Sequence, residues 1–248
     1  MTNYRTSSFM GTPPVVKNLI IINVLMLLAG FTAEHVFHIR LNYILGMYYP
    51  GSEQFEPYQL ITHIFMHGGL AHLFFNMFAL WMFGRVLENV WGHKRFFIYF
   101  FVTALGAAFL HMLVNHIQIQ SLLAQMDPEK ISTVMTEGFD TIRQGKNFSD
   151  PQMGRLNLMM NIPTVGASGA VFGVLLAFGM LFPNTQLLLI FPPIPIKAKY
   201  FVIFYGVLEL WLGITQPGSN VAHFAHLGGM IFGFILLKLW NMNKNSFY

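Results

Sequence analysis

Hydrophobic and polar positions along the chain fall into long blocks rather than short alternations. Apolar runs cover Leu19 to Phe31 (extendable to about His35), Leu60 to Gly84, Phe96 to Val114, Val165 to Phe182, Tyr200 to Ile214 and Val221 to Trp240. A helix needs about twenty such residues to cross the hydrocarbon of a bilayer. Each run therefore predicts a span, and the whole chain predicts an all-α membrane protein with six transmembrane helices. The expected organisation is a polar tail at 1–18, a membrane domain at 19–240 and a second polar tail at 241–248. The first run also reads as a secretory signal with its cleavage site in Leu28–Ala33. A retained anchor is preferred, because further spans follow at once.

The connections differ in character. His35 to Gln59 is polar and aromatic, as segments at a membrane interface tend to be. Arg85 to Arg95 is short and basic, with Glu88 its only acid. Asn115 to Asn161, between the third and fourth spans, is much longer than the rest. Within it Asp127-Pro128-Glu129 reads as an N-cap, a first-turn proline and an acid matched to the helix dipole. Ile131, Val134, Met135, Phe139 and Ile142 follow at helical spacing, predicting a short amphipathic helix on the membrane surface or over the bundle. Gln186 to Lys199 carries Pro192, Pro193 and Pro195, which break any helix. Gln216 to Asn220 reads as a tight Pro-Gly turn.

Composition agrees with the pattern and narrows the partners. Charged residues are 10% of the chain, where a soluble domain carries about a quarter; the mean hydropathy is +0.53. The lipid bilayer is thus the expected surrounding. Cysteine is absent, which excludes disulfides and thiol catalysis. The basic residues are scattered between apolar runs, so nucleic acid is not an expected partner. Most of the fourteen Lys and Arg lie in the N-terminal tail, Arg85–Arg95, Lys197–Lys199 and the C-terminal tail. The positive-inside rule then makes both tails cytoplasmic and the 115–161 segment extracytoplasmic. The starts of the fourth and sixth spans and the middle of the second all fall toward the outer half.

Chemistry concentrates there. Thr164 to Gly173 reads TVGASGAVFG, placing Ser168 just after Pro163 at a helix start. Unpaired backbone N–H groups and the positive end of the helix dipole favour a developing oxyanion at such a place. Gly166, Ala170, Gly173 and Ala177 form a smooth face for a neighbouring helix. The sixth span, AHLGGMIFG from Ala225, sets His226, Gly229 and Gly233 on one stripe. Contact between the two faces would bring His226 to Ser168, a base beside a nucleophile. With no acid at a fixed spacing from the pair, it reads as a Ser-His dyad. Phe172, one turn after Ser168, is placed to pack on the imidazole. His72 and Asn76, four apart in the second span, are polar groups inside a membrane and hence either functional or satisfied by interhelical bonds. His63 and His67 have a metal-like spacing but no intervening glutamate and no third ligand, so neither a metal nor a cofactor is expected. Glu209 is expected to bond a neighbouring helix, with no direct catalytic role. His223 is expected in water at the outer rim.

GASGAVFG, AHLGGMIFG and HGGLAHLFFNMFALWMFG together resemble the rhomboid family of intramembrane serine proteases, over about Glu56 to Lys238. The resemblance implies a rhomboid-like six-helix bundle, with Ser168 as nucleophile and His226 as base. It also implies an oxyanion hole built from the Ser168 backbone N–H and the side chains of His72 and Asn76. Gly84 to Glu88, ahead of Gly92, is similar to the family's first cytoplasmic loop. Phe172 stands where some members carry a tyrosine. The expected substrates are transmembrane proteins, and the expected location is a bacterial inner membrane. Water would reach the dyad through a cavity flanked by His67, His72, Asn76 and His223. A catalytically inactive, helix-binding relative would share the fold, but the joint presence of Ser168, His226, His72 and Asn76 argues against it. A transporter is disfavoured by the lack of an internal repeat.

Overall fold

The computed structural model describes residues 11–188, 194–216 and 222–242, with side chains to Trp240. The Gln216–Asn220 turn beyond Gln216, Pro192 and Pro193, and the two terminal tails up to Met10 and from residue 243 lie outside the described residues.

The first helix, α1 (Pro14–Phe37), starts earlier than the apolar pattern predicts. Pro14 supplies a preset φ at the first turn, where its missing N–H costs nothing. The orphan amides of Val15 and Val16 are bonded by the Glu88 carboxylate, at 2.9 and 2.7 Å. Glu88 is itself buried and also receives His93 Nδ1 at 2.6 Å. A residue from the basic connection thus caps a helix more than seventy positions away. After α2 (Leu41–Leu45) the chain turns back through α3 (Gln59–Thr62).

The second predicted span is divided. Gln59 to Phe65 folds as α3 and one 3-10 turn, and the chain runs irregularly through Gly68 and Gly69 before α4 (Leu70–Ala79) begins. A π turn at Leu80–Gly84 then joins α4 to α5 (Arg85–Trp91), so the helical column extends past Gly84 into the segment expected as a connection. Gly92, at φ 79°, makes the sharp reversal into α6. The 31-residue α6 (His93–Leu123) exceeds the predicted third span by more than two turns.

The long connection holds two helices where one was expected: α7 (Pro128–Arg143) and α8 (Pro151–Asn161). Asp150 starts α8 by accepting from the Gln152 and Met153 amides. The pair packs on the far end of α6 through a small core of Ile119, Leu122, Met126, Val134, Leu156 and Met160. Next, α9 (Ser168–Leu181) is only 14 residues long, because a non-helical segment occupies Ile162 to Ala167. The proline-rich connection contributes a small antiparallel pair, β1 (Gln186–Leu188) and β2 (Pro195–Lys197). It leads into α10 (Ala198–Thr215), and α11 (His223–Met242) follows.

Among the described residues, five helical columns are long and apolar enough to cross a membrane, and α9 is a shorter apolar helix beside them. The centre is α6, α9 and α11, mutually packed, with α1 and α4 on one side and α10 on the other. The contact is as close as backbones allow. A Cβ on Gly229 of α11 would collide with the backbone of Gly169 on α9. One on Gly173 would meet Thr103 of α6 at 2.6 Å and the Gly229 carbonyl at 3.0 Å. Gly169 and Gly173 therefore form the contact face of α9, whereas Gly166 precedes the helix.

Candidate active site

The close approach of α9 and α11 sets the geometry of the site. Ser168 is the first residue of α9 and His226 lies in the first turn of α11, one turn before Gly229. Ser168 Oγ and His226 Nε2 are 2.9 Å apart, a hydrogen bond across 58 residues of sequence. Phe172 stacks on the imidazole as expected, with ring centroids 4.2 Å apart and planes 5° from parallel.

The approach to Ser168 is equally specified. Thr164 pairs with Met47 in a two-bond antiparallel bridge, and the Gly166 N–H donates to the His63 carbonyl at 2.9 Å. His111 Nε2 on α6 holds the Thr164 hydroxyl at 3.0 Å. This tethered strand delivers the chain to α9 with Gly166 at φ 127°, a backbone that L side chains rarely adopt. A Cβ there would lie 2.9 Å from His72 Nε2 and 3.7 Å from Ser168 Oγ, so the missing side chain is what allows His72 beside the serine. The Gly68 N–H points at His72 Nδ1 from 3.4 Å, which leaves Nε2 as the nitrogen carrying the proton toward Gly166. Asn76, one turn on, donates one amide hydrogen to the His72 carbonyl at 3.0 Å and has a second to give. The amides of Ser168, Gly169 and Ala170, in the first turn of α9, have no helical acceptor.

These groups open on a cavity of about 1340 Å³ lined by Ser168, His226, His72 and Asn76. Its apolar walls run from Phe75 and Phe78 on α4 to Phe201 and Tyr205 on α10. His67 and His223, expected at the cavity, are both buried outside its lining. His67 packs edge-on against His72 at 5.0 Å between centroids. His63 bonds the Gln59 carbonyl through Nδ1, on the turn before the irregular segment that carries His67, so the two do not share one helix face.

The largest departure concerns Glu209. It bonds a neighbouring helix as expected, but its partner is His223 Nδ1, at 2.6 Å, and His223 is buried rather than rim-exposed. The same oxygen, Oε2, lies 3.0 Å from His226 Nδ1, off the line of an ideal hydrogen bond. An acid does therefore accompany the Ser168–His226 pair. Spacing along one segment cannot reveal it, since it comes from a different helix. A readable signal was present: Gly206, Glu209 and Gly213 share one face of α10 at helical spacing. Gly213 sits against His223 and Phe224, and Gly206 against Met230. The ligand-type atoms of Glu209, His223 and His226 lie within 4.8 Å of one another, a His₂Glu set of the type zinc accepts, in which His223 bonds Glu209.

Fold and site define a class: an integral membrane, all-α protein with a serine bonded to an imidazole between its helices. The Rhomboid domain profile matches residues 54–241, and the chain belongs to the rhomboid family. It is 24% identical to the putative rhomboid protease YdcA of Bacillus subtilis over 248 residues, covering 99% of this chain and 97% of that one. It is 27% identical to rhomboid protein 1, mitochondrial, of Saccharomyces cerevisiae over 185 residues, and 30% identical to RHOMBOID-like protein 12, mitochondrial, of Arabidopsis thaliana over 170. Those alignments cover 75% and 68% of this chain but only 42% of each relative.

Proposed function

We propose that the protein is an intramembrane serine endopeptidase that cleaves transmembrane proteins in or near their membrane helices. The observation that carries this reading is the 2.9 Å contact of Ser168 Oγ with His226 Nε2 on the wall of a cavity between apolar helices. Ser168 Oγ attacks the amide carbonyl carbon while its proton passes to His226 Nε2. The carbonyl oxygen becomes an oxyanion, held by the Ser168 backbone N–H and the side chains of His72 and Asn76. Collapse breaks the C–N bond, and His226 returns the proton to the departing amine. Water then adds to the acyl-serine with its proton going to His226, and the C–O bond breaks as Ser168 takes the proton back.

A substrate helix enters sideways from lipid, past the aromatic walls on α4 and α10, and unwinds locally to present its amide. Helix-breaking or small residues near the cut are favoured. The location proposed is a bacterial inner membrane, in keeping with the bacterial source of a relative matched over nearly its full length, and the distribution of Lys and Arg supports termini in the cytoplasm. The test is Ser168→Ala, which removes one hydroxyl and is expected to abolish cleavage of a reconstituted transmembrane substrate and labelling by a fluorophosphonate, with unchanged thermal unfolding. Wild-type turnover in that variant overturns the reading.

A further inference from the structure

We propose that Glu209 is a positioning residue for His226: its Oε2, set against Nδ1 of both His226 and His223, holds the proton of His226 on Nδ1 and leaves Nε2 free to accept from Ser168. The assignment rests on the reading of Ser168 and His226 as nucleophile and base, and adds a third member to that pair.

Three features support it. First, the carboxylate is placed by backbone design. Gly213 lies one turn after Glu209 on the face of α10 turned to α11, and a Cβ there would lie 3.3 Å from the Cβ of His223. Second, the carboxylate is only 7% exposed in an apolar helix, where an acid without partners is costly. The observed partners are the two α11 imidazoles. Third, the ring of His226 is held at both nitrogens and on one face. Nε2 meets Ser168, Phe172 covers one face, and Nδ1 meets the acid. A neutral imidazole has one donor and one acceptor nitrogen, so a carboxylate beside Nδ1 selects the tautomer whose Nε2 is a base. When Nε2 takes the proton from Ser168, the carboxylate faces the imidazolium that forms and keeps its own charge. Catalytic hydrogen bonds are often poorly aligned before substrate binds and tighten as charge develops. His223, better aligned on the same oxygen at 2.6 Å, fixes the carboxylate for this role.

The experiment combines two readouts on the purified full-length chain in detergent. Nitrogen NMR of ring-labelled histidine, with the His226 signals assigned by their loss in His226→Gln, reports which ring nitrogen carries the proton. In the unmutated chain the proton is expected on Nδ1, and in Glu209→Gln that preference is expected to be lost. Fluorophosphonate labelling of Ser168 in Glu209→Gln is expected to slow by about a hundredfold at saturating probe, within the range a general base contributes, with the half-saturating probe concentration unchanged. A proton on Nε2 of His226 in the unmutated chain overturns the proposal, and this measurement needs no variant at Glu209. Folded Glu209→Gln labelled at the unmutated rate also overturns it while leaving the protease reading intact. An unmutated chain that takes no label at Ser168 instead removes the protease reading, and the NMR result still decides whether Glu209 sets the His226 tautomer.

Discussion

Asn76 has one amide hydrogen committed to the turn below it and one to spare, on the wall of the cavity that holds Ser168. A donor aimed where negative charge develops stabilises the transition state far more than the ground state. Asn76→Ala is therefore expected to lower kcat by about ten- to a thousandfold with KM little changed. Steady-state cleavage of a reconstituted substrate, at matched folded amounts, checks this. An unchanged kcat would leave Asn76 as a packing residue. His72 depends on a residue it does not bond. Its ring fills the space a side chain at Gly166 would take. Glycine at that position therefore serves the neighbour as well as the backbone. That Ser168, His226, Phe172, His72 and Asn76 line one cavity is legible in the sequence, because each sits in a short motif with helical spacing. Glu209 is marked as their companion only indirectly, by the glycines that share its face of α10, because its partners lie fourteen and seventeen positions away on the next helix.

Among the elements, α9 and α11 carry the tightest constraint. Gly229→Ala places a methyl group in the Gly169 backbone, so the helices must separate and carry Ser168 away from His226. Overpacking of this kind costs about 1–3 kcal/mol, read as a lower unfolding temperature, together with at least a tenfold drop in Ser168 labelling. Gly206→Ala is the control, since its new Cβ would meet only the flexible end of Met230, at 3.2 Å. The α7–α8 pair makes a different prediction. The Lys130 ammonium, and behind it the Met153 amide, hold the Asp150 carboxyl below its ordinary value of 3.8. A depressed carboxylate contributes stability that is present above the ordinary range and lost as pH falls through the lowered value. Protection of the amides in the first turn of α8, relative to their intrinsic exchange, should therefore fall below about pH 4, ahead of the bundle. Protection that persists to global unfolding would argue that the Asp150 cap adds nothing.

Apolar runs mark spans well but mark their ends poorly. The α1 start was missed because its cap, Glu88, arrives from another part of the chain. The break after Phe65 was missed because His67-Gly68-Gly69 is short and flanked by apolar residues. The second helix of the long connection carries the same signal as the first, since Asp150-Pro151 repeats the Asp127-Pro128 start.

At the scale of the molecule, the proposed termini-inside arrangement makes a clean prediction because the chain has no native cysteine. Lys146→Cys, exposed after α7, should react with an impermeant maleimide added outside intact cells. Lys94→Cys, exposed at the start of α6, should react only after the membrane is opened. The reverse pattern would invert the bundle. The aromatic and aliphatic side chains that remain exposed, such as Leu25 and Leu28 on α1 or Trp211 and Ile214 on α10, are then the surface that meets lipid.

For the protease proposed here, the shortness of α9 acts as a ruler for the cut. Fourteen residues at 1.5 Å each rise about 21 Å, against a hydrocarbon layer of about 30 Å. With Leu181 level with one boundary, Ser168 stands about 9 Å beneath the other. A substrate that stays helical to that depth would present a bond roughly six residues in from the boundary, at 1.5 Å per residue. One already drawn out to extended chain, at about 3.3 Å per residue, would present a bond only about three residues in. Moving a helix-breaking residue along one substrate, and reading the cut site by mass, would then show how much of the entering helix has come undone when the serine meets it.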